Sequence, residues 1–590
     1  MEMADISLKI NGIDVTAPEG TTILEAAHMA GIDIPTLCYL KDINEVGDCR
    51  MCVVEVKGAR SLVASCMYPI SEGLEVWTNT EKVLKSRRLT LQLILSNHDQ
   101  RCLSCIRSGN CELQHLSKEL GVEDEHYYEG ERRHYELDTS AIHMIRDDNK
   151  CILCRRCVAA CSSVQGIGVI GTNNRGFKSN ISCAFEMGLG STACVNCGQC
   201  VVVCPTGALY EKDDTDKIEE ALSDPDKFVV VQTAPSIRAT LGEEFGFPIG
   251  TDVEGKMVAS LRRLGFDRVF DTDFSADLTI VEEANEFVER VQNGGVLPMI
   301  TSCSPGWVKF CEEYYPEMKD NLSTCKSPQQ MFGAITKTYY ARKMGLDPKN
   351  IFCVGVMPCT AKKFEILRDN QSAAGCQDVD VAITTRELAR MIKRAGVDLY
   401  NIHEEEFDDP LGESTGAGVI FGATGGVMEA ALRTAVETLT GEELKSVEFK
   451  EIRGMEGIKE ATYNVAGMDV NIAVASGLGN ARKVLDSVKS GEKNYHFIEI
   501  MCCPGGCING GGQPLVPSHI RNFEDVRGLR AAALYRNDEA KTIRKSHENP
   551  EIKKLYAEYL VKPGSERAHE ILHTSYVTRK INRIPDSIKK

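Results

Sequence analysis

Two stretches of the chain share one form: CILCRRCVAAC at 151–161 and CVNCGQCVVVC at 194–204, each a CxxCxxCxxxC run. No other feature limits the fold as strongly. Sulfurs packed this closely in sequence suit chelation of a polynuclear metal centre better than cross-linking. In such a pair, three thiolates of each run bind one cubane and the fourth reaches across to the other. Cys151, Cys154, Cys157 and Cys204 are therefore expected to hold one 4Fe-4S cluster, and Cys194, Cys197, Cys200 and Cys161 the other. Pro205 follows the last cysteine, completing the C-P ending of a two-cluster run. A pair of zinc knuckles is the alternative, but zinc seldom needs this eightfold repeat.

Two further groups precede the runs. Cys38, Cys49, Cys52 and Cys66 are spaced x10, x2, x13 after a strand–turn–strand–helix pattern (ISLKI, Asn11-Gly12, IDVTA, TTILEAAHMAGI). A close CxxC with two distant partners on a small β-rich fold suits a 2Fe-2S cluster; a zinc ribbon is the alternative. HDQRCLSCIRSGNC then offers His98, Cys102, Cys105 and Cys111. Three thiolates and an imidazole suit either zinc or a 4Fe-4S cluster. Between two iron–sulfur modules, iron is the expectation.

The chain has 25 cysteines in 590 residues, most in tight runs, and no basic segment followed by an apolar one near its start. That usage points to a reducing, cytoplasmic setting in which cysteines serve metals or catalysis. A net charge of −17 argues against nucleic acid as the main partner. No apolar run approaches the roughly 20 residues of a membrane span.

After residue 226 the texture changes. KFVVVQTAP, VLPMITSC, NIFCVGVMPC, DVDVAITT, VNIAVASG and HFIEIMCC alternate with helical patterns, which reads as α/β with largely parallel strands. The expected fold is thus multidomain, α+β and α/β. It comprises a β-grasp 2Fe-2S domain (1–78), a small cluster domain with one histidine and three cysteine ligands (79–137), a two-cluster ferredoxin-like domain (138–210), a large α/β domain (211–527) and a polar helical cap (528–590). GATGG at 422–426 is not a dinucleotide fingerprint, so nicotinamide or flavin chemistry would need another subunit. Cys183, Cys311, Cys325, Cys353 and Cys376 lack metal spacing and are expected to be packing residues.

Several strands of the large domain end in cysteine motifs: TSCSPGW (301–307), MPCTAKKFE (357–365) and EIMCCPGGCINGGGQP (499–514). Loops at the carboxyl ends of parallel strands are where ligands bind. With these three motifs the sequence resembles the iron-only (FeFe) hydrogenases over residues 1 to about 525. Family members carry TSCCPxW, MPCxxKxxE and ExMACxxGCxxGGGxP in that order.

The resemblance implies an H-cluster, a 4Fe-4S cubane bridged by a cysteine to a two-iron unit carrying CO, cyanide and a dithiolate amine. It implies reversible interconversion of protons and electrons with H2. Electrons would pass through one 2Fe-2S and three 4Fe-4S clusters to ferredoxin or an NAD(P)-linked partner subunit, and dedicated maturation proteins would load the site. Cys359, Cys503 and Cys507 match cubane ligands, with Cys507 the bridge. Lys362 and Ser236 match cyanide contacts; Pro235, Gln329, Met357, Phe421 and Met501 match pocket-lining positions. Glu283, Glu286 and Arg290, at i, i+3, i+7 on one helix face, match with Ser323 the family's proton path.

Two positions depart from the family. Where TSCCPxW has a relay cysteine followed by a ligand cysteine, this chain has Cys303 and Ser304; where the third motif has alanine, it has Cys502. Cys502 then replaces the missing ligand and leaves Cys303 as proton relay, or Cys303 itself ligates, or Ser304 ligates through oxygen or the site is impaired. A small hydrophobe filling an alanine-sized gap is the bland alternative for Cys502. Rival functions are a non-catalytic H2 sensor, an electron-wire subunit of a larger complex, and an iron–sulfur assembly scaffold.

Overall fold

A computed structural model describes residues 4–122, 133–444, 446–465 and 467–580. Parts of three expected domain ranges (1–3, 123–132 and 581–590) lie outside the described residues.

The N-terminal module opens with an antiparallel hairpin, Asp5–Ile10 with Ile13–Pro18. Its turn residues Asn11 and Gly12 both have positive φ (51° and 85°), the conformation that Asn-Gly supplies to a two-residue hairpin. Asp5–Ile10 also pairs in parallel with Glu75–Trp77, completing a five-stranded sheet with Val53–Val56 and Val63–Ala64. The helix Ile23–Met29 covers it, started by a capping box in which Thr22 and Glu25 satisfy each other's backbone N–H groups. Helix Glu81–Leu95 follows, and its Arg87 reaches back to the Val53 carbonyl at 2.8 Å.

In the large domain all six apolar runs contain strands, but they form two sheets rather than one. The first is parallel throughout, in the order Arg268–Asp271, Phe228–Thr233, Ile351–Met357, Val381–Thr384. Val229, Val230 and Val231 are at most 1% exposed, as expected of a central strand buried on both faces. The second runs Met299–Ile300, Phe497–Met501, Met468–Ser476, Ile458–Val465, with only the last pair antiparallel. The three cysteine motifs therefore leave the carboxyl ends of strands from both sheets. The long helix Thr272–Asn293 packs against Pro328–Ile335 and Gly426–Thr440.

The segment expected to be a polar cap is part of the core. Leu534, Leu560 and Leu572 are fully buried, and Asp538 forms an ion pair with Arg433 in which neither side chain is exposed. Its charges are neutralised by pairing rather than by water, which a polarity reading cannot register. No described helix is long and apolar enough to cross a membrane.

Candidate active site

Where the two sheets meet, the strand ends line a single cavity. Cys359, Cys503 and Cys507 line it with Cys303, Ser304 and Cys502, and the other walls include Pro235, Gln329, Met357, Phe421 and Met501. Its sulfurs and its few polar groups sit in an apolar shell, the setting that a water-sensitive metal centre needs. The charges of Cys503 and Cys507 add to burial in raising the Cys359 thiol, so three thiols converge here from two motifs. That crowding is relieved when a metal takes the protons' place, and the residues fit a cubane.

Lys362 is 8% exposed and donates to Ser327 Oγ and Glu365 Oε2, each at 2.9 Å, and to the Cys303 carbonyl at 3.2 Å. Gln329 Nε2 also donates to Glu365, at 3.0 Å. Ser236 does not line the cavity; its hydroxyl accepts from Gln513 Nε2 at 3.2 Å, and Gln513 also donates to the Cys507 carbonyl. Glu365, Ser327 and Gln513 escaped the sequence reading as functional residues. Glu365 and Gln513 fall inside quoted motifs, MPCTAKKFE and GGGQP, where a buried polar type was the available signal.

The divergent positions lie side by side. Met299–Ile300 and Phe497–Met501 are neighbouring parallel strands, so the residues following each emerge together. Ser304 Oγ accepts the Cys502 N–H at 3.2 Å. Neighbouring Cys197, and after it Cys503, push the Cys502 thiol up, while Cys197 falls in turn. A β-carbon on Gly306 would come within 2.6 Å of the Cys502 sulfur, so that glycine makes room for it. Cys303 lines the same cavity, where burial and then the charges of Glu283 and Cys507 hold its thiol well above the usual range.

A polar series leads from Cys303 outwards. Glu283 is 2% exposed, and burial, reinforced by the Glu286 charge, pushes it up to about 8 against a smaller opposing pull from Ser323. Ser323 Oγ donates to Glu286 at 2.9 Å, and Glu286 pairs with Arg290 at 2.6 Å. Arg290 also binds the carbonyls of Asn321 and Leu322 near the surface.

The other cysteine groups also assemble. Cys52 and Cys66 sulfurs are 3.3 Å apart, and the Cys49 N–H reaches Cys38 Sγ at 3.4 Å. Thiols sharing protons split in pKa: Cys49 falls to about 6 against Cys38, and Cys52 to about 7 against Cys66. His98 is buried and held neutral near 4, and its Nδ1 has no hydrogen-bond partner, which suits an imidazole beside a metal. Burial raises Cys102 and Cys111. In the duplicated runs it raises Cys151 and Cys194, both to beyond the ordinary thiol range, and Cys154 to about 12. Cys157 and Cys200 are buried, while Cys161 and Cys204 are partly so.

These groups abut. Arg156, next to Cys157, pairs with Glu112, next to Cys111, at 3.0 Å, and also binds the carbonyls of Cys38 and Tyr39. Gln165 donates to the Cys502 carbonyl at 3.0 Å, and Thr360 to the Asn196 carbonyl at 2.8 Å.

Known families match along the chain: a 2Fe-2S iron-sulfur cluster binding domain at 3–81, an NADH-ubiquinone oxidoreductase-G iron-sulfur binding region at 87–126 and a 4Fe-4S dicluster domain at 147–221. The iron only hydrogenase large subunit, C-terminal domain, matches 227–511, and the iron hydrogenase small subunit matches 524–579. The chain is 52% identical to the NADP-reducing hydrogenase subunit HndD of Solidesulfovibrio fructosivorans, covering 98% of this chain and 100% of that one. It is 45% identical to iron hydrogenase 1 of Clostridium pasteurianum, over 96% and 99% of the two chains. An apo FeFe-hydrogenase structure from Chlamydomonas reinhardtii superposes with a TM-score of 0.54 at 41% identity, covering 62% of this chain and 99% of that one. The chain belongs to the iron-only (FeFe) hydrogenase family, oxidoreductases that interconvert H2 with protons and electrons and relay those electrons through iron–sulfur clusters.

Proposed function

We propose that Cys502 supplies the fourth thiolate of the H-cluster cubane with Cys359, Cys503 and Cys507, and that Cys303 is the proton relay. The carrying observation is the pairing of the two divergent positions: the Cys502 N–H donates to Ser304 Oγ, and both line the cavity beside Cys503, whereas the Cys303 thiol is raised by burial and then by the charge of Glu283, ahead of that of Cys507. Ser304 uses its hydroxyl oxygen to fix the Cys502 backbone. When bound, the H-cluster supplies the redox-active iron at which H2 forms or splits. The chain supplies enclosure, a cation at Lys362, and carboxyl and hydroxyl groups that pass protons where bulk water is excluded. Pro235, Ser236, Gln329, Met357, Phe421 and Met501 shape or support that enclosure.

The electron route we infer runs from the 2Fe-2S group and the His98 group through the duplicated runs, with Cys197 beside Cys502 as the last step. This makes one 2Fe-2S and three 4Fe-4S accessory clusters. The outer end serves a cytoplasmic partner, an NAD(P)-linked subunit or ferredoxin. The name of the HndD relative favours the former, and this chain carries no dinucleotide fingerprint. Protein matured with the dedicated assembly enzymes should show CO and cyanide infrared bands and H2 turnover with viologen. Cys303→Ala should keep the bands and lose turnover; loss of the bands instead would make Cys303 a ligand and reject the assignment.

A further inference from the structure

Cys325 was expected to be a packing residue, and it is 1% exposed. Its sulfur nevertheless lies 3.7 Å from Glu286 Oε2. His573, from the small-subunit segment, reaches the same place: one ligand atom from each of Glu286, Cys325 and His573 lies within 4.8 Å of the others. Tetrahedral zinc, with bonds of about 2.0–2.3 Å to nitrogen, oxygen and sulfur, holds its ligand atoms about 3.4–3.6 Å apart. The trio needs only small side-chain shifts to reach that spacing.

Two independent features favour a cation here. Glu282, whose side chain is fully buried, lies 3.3 Å from His573 Nε2, and Thr324 Oγ1 lies 2.7 Å from its Nδ1, so a metal would displace one of these contacts; the Glu282 and Glu286 carboxylates flank the spot, with Arg290 paired to Glu286. The incoming segment also reads His569-Glu570-Ile571-Leu572-His573, a spacing that sets two imidazoles one helical turn apart. His569 is exposed, and its ring centre lies 4.0 Å from that of His573 with the planes tilted by 33°, leading from solvent towards the trio, of which Cys325 is buried and the other two half-buried.

We propose that Glu286, Cys325 and His573 form a binding site for Zn2+ or a cation of similar softness, which closes the proton route when filled. Binding replaces the Cys325 S–H proton with a sulfur–metal bond and releases that proton to solvent. It also engages Glu286 Oε2, the atom that accepts from Ser323 Oγ at 2.9 Å, so the hydroxyl loses its outward partner. The inhibitory part rests on the proton-route reading above; the site itself does not.

The test is Zn2+ titration of the matured holoenzyme against a chromophoric chelator, alongside H2 evolution with viologen and a check that iron content is constant. Wild type should bind one Zn2+ at this site and lose turnover as it fills. Cys325→Ala and His573→Ala, which lie outside the catalytic series, should each weaken binding and inhibition by roughly ten- to a hundredfold, the cost seen even for a ligand's supporting partner. Zn2+ affinity unchanged in both variants would overturn the site. Tight binding that both variants abolish, without inhibition of wild type, would keep the site and reject the proton route.

Discussion

In the accessory modules each duplicated run gathers most of its thiols from one short stretch, whereas the catalytic pocket draws its thiols from loops that leave two separate sheets. Cys151, Cys154 and Cys157 are brought together by chain geometry alone. Cys359 and Cys503 meet only because Ile351–Met357 and Phe497–Met501 direct their carboxyl ends into one cavity. The two regions also treat protons differently. Around the accessory thiols the described contacts are mainly backbone groups, arginines and neighbouring thiols, while the pocket opens onto a series of carboxyl and hydroxyl groups. One region is built to move electrons, and the other must bring electrons and protons to the same point.

That contrast predicts separable damage. The largest effect should come from Glu283→Gln, which removes the inner acid of the series and should lower H2 evolution by about 10²–10⁴-fold. The EPR signals of the accessory clusters should be unchanged; a change in them would mean that the two regions are not independent. In the parent protein, Glu283 near 8 is mostly protonated at neutral pH. Because burial raises it, the stability tied to its neutral form is present below the ordinary carboxylate range and drains as pH climbs through about 8. Proton-limited H2 evolution should fall over the same interval, and Glu283→Gln should abolish that inflection in the rate–pH profile.

The next effect concerns the joint between modules. Arg156 is 1% exposed and pairs with Glu112 while binding two carbonyls of the N-terminal module. Arg156→Met leaves a carboxylate without its cation and should cost about 3–5 kcal/mol, read as earlier thermal bleaching of the cluster absorbance. The double variant Arg156→Met with Glu112→Met should recover much of it. If the single variant behaves like the parent, the pair does not join the modules.

A smaller effect is expected where the two regions touch. A β-carbon on Gly511 would meet the Cys197 carbonyl oxygen at 2.2 Å and Gly198 Cα at 2.7 Å, both backbone atoms. Gly511→Ala should therefore cost about 1–3 kcal/mol and slow viologen-coupled turnover without removing either set of infrared or EPR signals.

Legibility in the sequence follows the same division. The duplicated runs, the Asn11-Gly12 hairpin and the six apolar strands were readable because spacing, turn chemistry and hydrophobic runs are local. That Ser304 and Cys502 meet was legible only through the family resemblance, since it depends on the pairing of Met299–Ile300 with Phe497–Met501, strands far apart in the chain. The division into two sheets was hidden for the same reason. The C-terminal segment misled because its charges are buried in pairs such as Arg433–Asp538, so a polar composition covers a core-forming element. Cys325 is packed in the core, as its lack of ligand spacing implies, and only the fold shows that Glu286 and His573 also lie within reach of its sulfur.

Whether the pocket's fourth thiolate comes from Cys502 is decided by EPR and infrared spectroscopy of matured Cys502→Ala beside the parent protein. The catalytic cubane signal and the CO and cyanide bands should be lost or strongly altered, while all accessory cluster signals persist. A Cys502→Ala protein with unchanged cubane and infrared spectra would contradict that assignment.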